Sequence, residues 1–135
     1  MAQGDIKGVR ENAEGGYDEI LLGAYFTPLT NQTFQSLSGT TPAWNVVNGV
    51  NALITLTGET VITLSNLITG MGGTIHVTNA SPVYSLQFAG YTNKIADAIY
   101  SAANTVITSG GDKEDSFSWI YDGSKINWFG GHYFH

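Results

Sequence analysis

Cysteine is absent from this chain of 135 residues. That excludes disulfides and thiolate zinc sites, and leaves the redox compartment open. Charge is scarce as well. Only 12% of residues are Asp, Glu, Lys or Arg, well below the usual ~25% of globular proteins. Basic side chains are the scarcest, five against eleven acidic ones, for a net charge of −6. Lys94, Lys113 and Lys125 are scattered, and Lys7 and Arg10 stand near the start. Without a basic patch, no nucleic-acid partner is expected. No apolar run approaches the ~20 residues of a membrane span, so no membrane partner is expected either. The opening Met1-Ala2-Gln3-Gly4-Asp5 lacks the charged-then-apolar pattern of a secretion signal. Heptads and Gly-x-y triplets are missing, which excludes a coiled-coil or collagen-like shaft. No β-helix repeat is visible either.

What the chain does have is seventeen glycines and many Thr, Ser, Asn and β-branched residues. Low charge with such residues predicts an all-β fold whose surfaces bury against neighbours. Short apolar runs separated by turn residues recur from Leu53 onward. Leu53-Ile54-Thr55-Leu56 reads as a strand, Thr57-Gly58-Glu59 as a turn, and Val61-Ile62-Thr63-Leu64 as a second strand. Thr74 to Thr78 is a third, and Tyr84, Leu86 and Phe88 alternate in a fourth. This spacing describes a sandwich or barrel. Residues 95–103 are ambiguous: Ile95, Ala98, Ile99 and Ala102 have helical spacing inside a β pattern. The chain closes in an aromatic hairpin. Phe117, Trp119 and Tyr121 fall two apart, as one face of a strand demands, and Asp122-Gly123 predicts a type I′ turn.

The expected organisation is an N-terminal anchor segment at 1–26, a linker at 27–51 and a β-domain at 52–135. The first segment is polar and glycine-rich, with Ile6 and Val9 as its sizeable apolar groups before a candidate strand at 17–26. So few apolar groups cannot offset the entropy of ordering such a segment alone, but it can order against a partner.

Candidate chemistry is thin. His76, His132 and His135 could hold a metal, but a structural zinc site needs about four placed ligands. Asp112, Glu114 and Asp115 lack the oxygen spacing of calcium loops. Glu59, Asp97, Asp122 and Asp18 supply carboxylates, yet nothing pairs two of them across a cleft as glycoside hydrolysis requires. No Gly-x-Ser-x-Gly elbow occurs, and Gly70-Met71-Gly72-Gly73 lacks the Lys of a phosphate loop. Neither an enzyme nor a cofactor is expected. Asn31-Gln32-Thr33 and Asn79-Ala80-Ser81 are glycosylation sequons. Phe117, Trp119 and Tyr121 are expected in the core or an interface. Trp128, Phe129 and Tyr133, beyond the turn, are expected to be exposed and available to a ligand or interface.

Leu53 to Leu67, then Gly73-Thr74-Ile75-His76-Val77-Thr78, then Phe117-Ser118-Trp119-Ile120-Tyr121-Asp122-Gly123, together resemble the C-terminal β-domains of bacteriophage fibre and virion surface proteins. Gly4 to Ala13 and Gly16-Tyr17-Asp18-Glu19-Ile20 resemble the attachment segment that begins some phage fibres. The resemblance implies a small antiparallel, jelly-roll-like β-sandwich head, a homotrimer and a place on the virion surface. It implies docking on another virion protein, capsid or tail, through Ile6, Lys7, Val9, Arg10, Tyr17 and Ile20. Capsid head fibre and short tail-fibre adhesin for a host surface glycan both remain open. The absence of a shaft leans toward the capsid.

Overall fold

The computed structural model describes residues 31–79 and 83–134. The anchor residues Ile6, Lys7, Val9, Arg10, Tyr17 and Ile20 lie outside it, as does His135. The described chain is all-β, with two single-turn 3-10 segments. Its strands are β1 (Phe34–Leu37), β2 (Ala43–Asn45), β3 (Asn51–Leu56), β4 (Thr60–Ser65), β5 (Gly72–Asn79) and β6 (Leu86–Ala89). They continue with β7 (Asn93–Ile95), β8 (Tyr100–Ala102), β9 (Thr105–Val106), β10 (Lys113–Tyr121) and β11 (Ile126–Phe134).

Two sheets form. The first runs β1-β3-β5-β10-β11-β7 and the second β2-β4-β6-β9-β8. Through β6 the chain alternates between them, and like follows like in parallel. Ile54 pairs with Val77 in the first sheet, and Ile62 with Phe88 in the second. The chain therefore winds in successive coils, as a β-helix does, before β8 to β11 close both sheets with antiparallel pairs. This corrects one expectation. The sheets are mixed and not uniformly antiparallel, so the arrangement is not a jelly roll. The strand-turn-strand at 53–64 forms, with β3 and β4 in opposite sheets, so the turn at 57–59 carries the chain across the core. A short β-helical winding is present although no sequence repeat announces it.

Alternation makes the winding possible. β3 buries Ala52, Ile54 and Leu56, and β4 buries Thr60, Ile62 and Leu64, every second residue facing the opposite sheet. The interior is one cluster drawn from both sheets. Four rings cross it. Trp44 of β2 meets Trp119 of β10 edge-on at 5.9 Å, and Trp119 lies 6.4 Å from Trp128 of β11. Trp128 stacks on Phe88 of β6 at 3.7 Å, returning to the second sheet. Each indole N–H has an acceptor: Trp44 donates to the Gly49 carbonyl, Trp119 to the Val50 carbonyl and Trp128 to Asn93 Oδ1. Buried rings of this kind combine large apolar area with a satisfied polar edge.

Small residues let the rings in. Gly73 stands opposite Trp119 across β5 and β10. A β-carbon at Gly73 would overlap the Val50 carbonyl oxygen that the Trp119 indole reaches. Two polar anchors hold the loops. Asp115, fully buried, accepts hydrogen bonds from the Ser109 amide and hydroxyl at 2.7 Å each. Asn79, also fully buried, donates to the Tyr84 carbonyl and Thr108 Oγ1 and accepts from the Tyr84 amide.

One boundary differs from expectation. The stretch 27–51 is not a linker throughout: β1, β2 and the 3-10 turn Val46–Asn48 belong to the folded unit, and Trp44, Val46 and Val50 are fully buried. Within 95–103, only Asp97–Ile99 forms a 3-10 turn, set between β7 and β8. The terminal hairpin does form, with Trp119 opposite Trp128 and Tyr121 opposite Ile126. Its turn is not type I′. Type I′ needs two adjacent central residues at positive φ, and of residues 122–125 Gly123 alone, at +96°, is there. Asp122 instead accepts hydrogen bonds from the Ser124 and Lys125 amides through its side chain and pairs with Lys125 Nζ at 2.7 Å.

Candidate functional site

The residues that do not face the core define the outer face of the first sheet. β1 presents Phe34 and Ser36, and β3 presents Leu53 and Thr55. β5 presents His76 and Thr78, β10 presents Ser116, Ser118 and Ile120, and β11 presents Phe129. Strand register sets these in rows across the sheet. Ser36, Leu53, His76 and Ser116 form one row, and Thr55, Thr78 and Glu114 the next. His76 Nδ1 and Glu114 Oε2 are 2.9 Å apart on the diagonal between rows, each partly exposed. The Phe34 ring meets His76 edge-on at 5.5 Å.

A shallow groove of about 560 Å³ runs here, lined chiefly by Ser36, Leu53, Thr55, His76, Thr78 and Glu114. It offers hydroxyl donors and acceptors, one imidazole–carboxylate pair and flanking apolar side chains. That is contact chemistry. Phe34, Leu53, Ile120 and Phe129 are 42–49% exposed and all lie on this face. Its charges are few: Glu114 is paired with His76, and Lys94 sits at the far edge on β7.

A second hollow, about 280 Å³, lies between Glu59, Tyr84, Ser85, Ser101, Val106 and Thr108. Glu59 accepts hydrogen bonds there from the Ser85 hydroxyl and, at 2.8 Å, from the Ser85 amide. The hydroxyl first and the amide second hold its carboxyl below the ordinary 4.5. The pair ties the β3–β4 turn to the segment entering β6.

The expected site residues separate. Phe129 is exposed. Trp128 is not: it is 1% exposed, because its register opposite Trp119 puts both rings on the inner face. The backbone of Tyr133 belongs to β11, and its side chain lies outside the description. Asp112, Glu114 and Asp115 do not converge. Asp112 sits in the loop at φ +59°, Glu114 turns outward to His76, and Asp115 turns into the core. Among the described residues no group of three His, Asp or Glu is placed to hold a metal ion. The Asn79 sequon is occupied otherwise, since its side chain is buried and bonded on both sides. Among the described residues no helix is long and apolar enough to cross a membrane.

Phe34, Leu53, Ile120 and the His76–Glu114 pair were not anticipated as surface features. The alternation that marks Ile54, Ile75 and Trp119 as inward also marks Leu53, His76 and Ile120 as outward. That signal was present, but the parallel pairing that gathers them was not. No protein-family description, curated protein or solved structure matches this chain.

Proposed function

We propose that this chain is a bacteriophage virion structural protein. It acts as a short homotrimeric fibre or decoration that projects from the capsid and docks through its N-terminal segment. Its β-domain, a sandwich of two mixed sheets, is the projecting head. The observation that carries this reading is an all-β unit with an aromatic core and an outer sheet face that offers contact chemistry. The phage resemblance of the sequence motifs supplies the virion context. The exposed Phe129, opposite Ser118, favours a second reading. An aromatic plane beside hydroxyls suits a sugar ring, as in a tail-tip adhesin for host glycans.

The test is particle incorporation. The core cluster is drawn from residues 44–128, and a chain lacking residues 1–16 is expected to fold and associate normally. It is also expected to be missing from purified virions. Full incorporation of the shortened chain would remove the docking role. Specific binding of the intact chain on a glycan array, lost in Phe129→Ala, would move the assignment to the adhesin.

A further inference from the structure

We infer that the outer face of the first sheet is the surface by which copies of this chain associate, an inference that rests on the proposed oligomer and names its contact. Three observations converge on a second copy as the occupant. First, large apolar side chains gather there: Phe34, Leu53, Ile120 and Phe129, from four strands. The outer face of the second sheet carries the half-buried Val61 with Thr63, Gln87 and Ala89, and Tyr100 at its β8 edge. Exposed apolar residues on a common face mark contact surfaces.

Second, the face is nearly neutral on an acidic chain. A net charge of −6 sets copies against one another wherever acidic groups meet. Among the described residues Glu59, Asp97, Asp112 and Asp122 sit in turns and loops, and Asp115 is internal. Glu114 alone reaches this face, and His76 partners it there. A basic partner would instead be drawn to the acidic loops, so a neutral apolar face is the one on which another copy can settle.

Third, the size is adequate. Six strands at ~4.8 Å spacing span roughly 25 Å. At ~3.3 Å rise its strands cover roughly 600 Å² in projection, of the order of the ~800 Å² of accessible surface that a stable interface takes from each partner.

The test uses the full chain in light scattering and sedimentation across micromolar concentrations. The wild type is expected near three times 14.4 kDa. Leu53→Glu and Ile120→Glu, on different strands, should each weaken association at least roughly 100-fold by placing an unpaired charge in the contact. Thr63→Glu and Gln87→Glu, on the outer face of the second sheet, should leave the mass unchanged. Near-ultraviolet circular dichroism of the tryptophan cluster verifies folding in each. A monomeric wild type overturns the oligomer and this face together. An oligomer that survives both Leu53→Glu and Ile120→Glu overturns the face and leaves the oligomer standing, and so does loss of association only in the controls. Because the chain lacks cysteine, a single thiol gives an independent reading. Ser116→Cys should be alkylated at least roughly tenfold more slowly in the oligomer than after dilution, whereas Ser101→Cys should not change. Equal protection at the two positions overturns the assignment.

Discussion

Trp119 and Trp128 face each other across the terminal hairpin and share one fate. Both are 1% exposed, both donate an indole hydrogen bond, and both contact a ring from the second sheet. Trp128→Ala is therefore expected to cost about as much as Trp119→Ala, each roughly 3–5 kcal/mol from lost burial and the cavity left behind. Chemical-denaturant midpoints of the two variants measure this. A Trp128→Ala midpoint close to wild type would show that the ring contributes little to the core. The sequence expectation ranked Trp128 as the more exposed because it lies beyond the turn. Hairpin register is the better guide: a turn at 122–125 puts residues 119 and 128 opposite each other, hence on one side of the sheet. With Asp122 beside Lys125, Glu59 is one of two described carboxyls held below their ordinary range. Its folded carboxyl titrates below 4.5, held by the Ser85 hydroxyl and amide. The stabilisation is thus fully present above the ordinary carboxylate range and lost as pH falls through the lower folded value. The gap in denaturant midpoint between wild type and Glu59→Gln should be widest at neutral pH and close progressively below about pH 4. A gap that persists unchanged into acid would mean the charge on Glu59 does not matter.

At the scale of elements, the sequence disclosed which residues face inward but not which strands are neighbours. The strands at 53–56, 61–64, 74–78 and 86–88 were legible from alternation. So was the closing hairpin, whose aromatic spacing and Asp-Gly turn signal are local. The β3–β4 connection was not. Hairpin and cross-core turn bury the same alternate residues, since in both cases Ile54 and Ile62 point at the interior. Only the partner strand differs, and for β3 the partners are β1 and β5, reached after a full circuit of the chain. Without a repeated motif from coil to coil, nothing in the sequence reports such pairing. The groove at His76 and Glu114 was hidden for the same reason, because its walls come from β1, β3, β5 and β10. Gly73 shows how a single position supports this topology. It lies within β5 under Trp119. Gly73→Ala would force the Val50 carbonyl away from the indole, and is expected to destabilise by ~1–3 kcal/mol or more. A shifted tryptophan signal in near-ultraviolet circular dichroism should accompany the loss. An unchanged spectrum and midpoint would mean that β3 and β5 can separate there without cost.

For the molecule as a whole, the order of strands in space is not their order of synthesis. β5 borders β10, and β7 takes its ladder partner from β11. The first three coils can wind as they leave the ribosome, but they do so around a hole. Trp119 and Trp128, which fill the interior beside Trp44 and Phe88, arrive with the final hairpin. Until Lys113 and the residues after it emerge, β5 holds an open row of backbone hydrogen-bonding groups, the kind of edge that recruits foreign strands. A nascent chain stalled before residue 113 should accordingly be protease-sensitive and bind chaperones, while release of the full chain should bring protection in one step. The 113–134 hairpin thus acts as the keystone: each copy locks only once that hairpin has emerged, and copies on neighbouring ribosomes wait at their most adhesive until then.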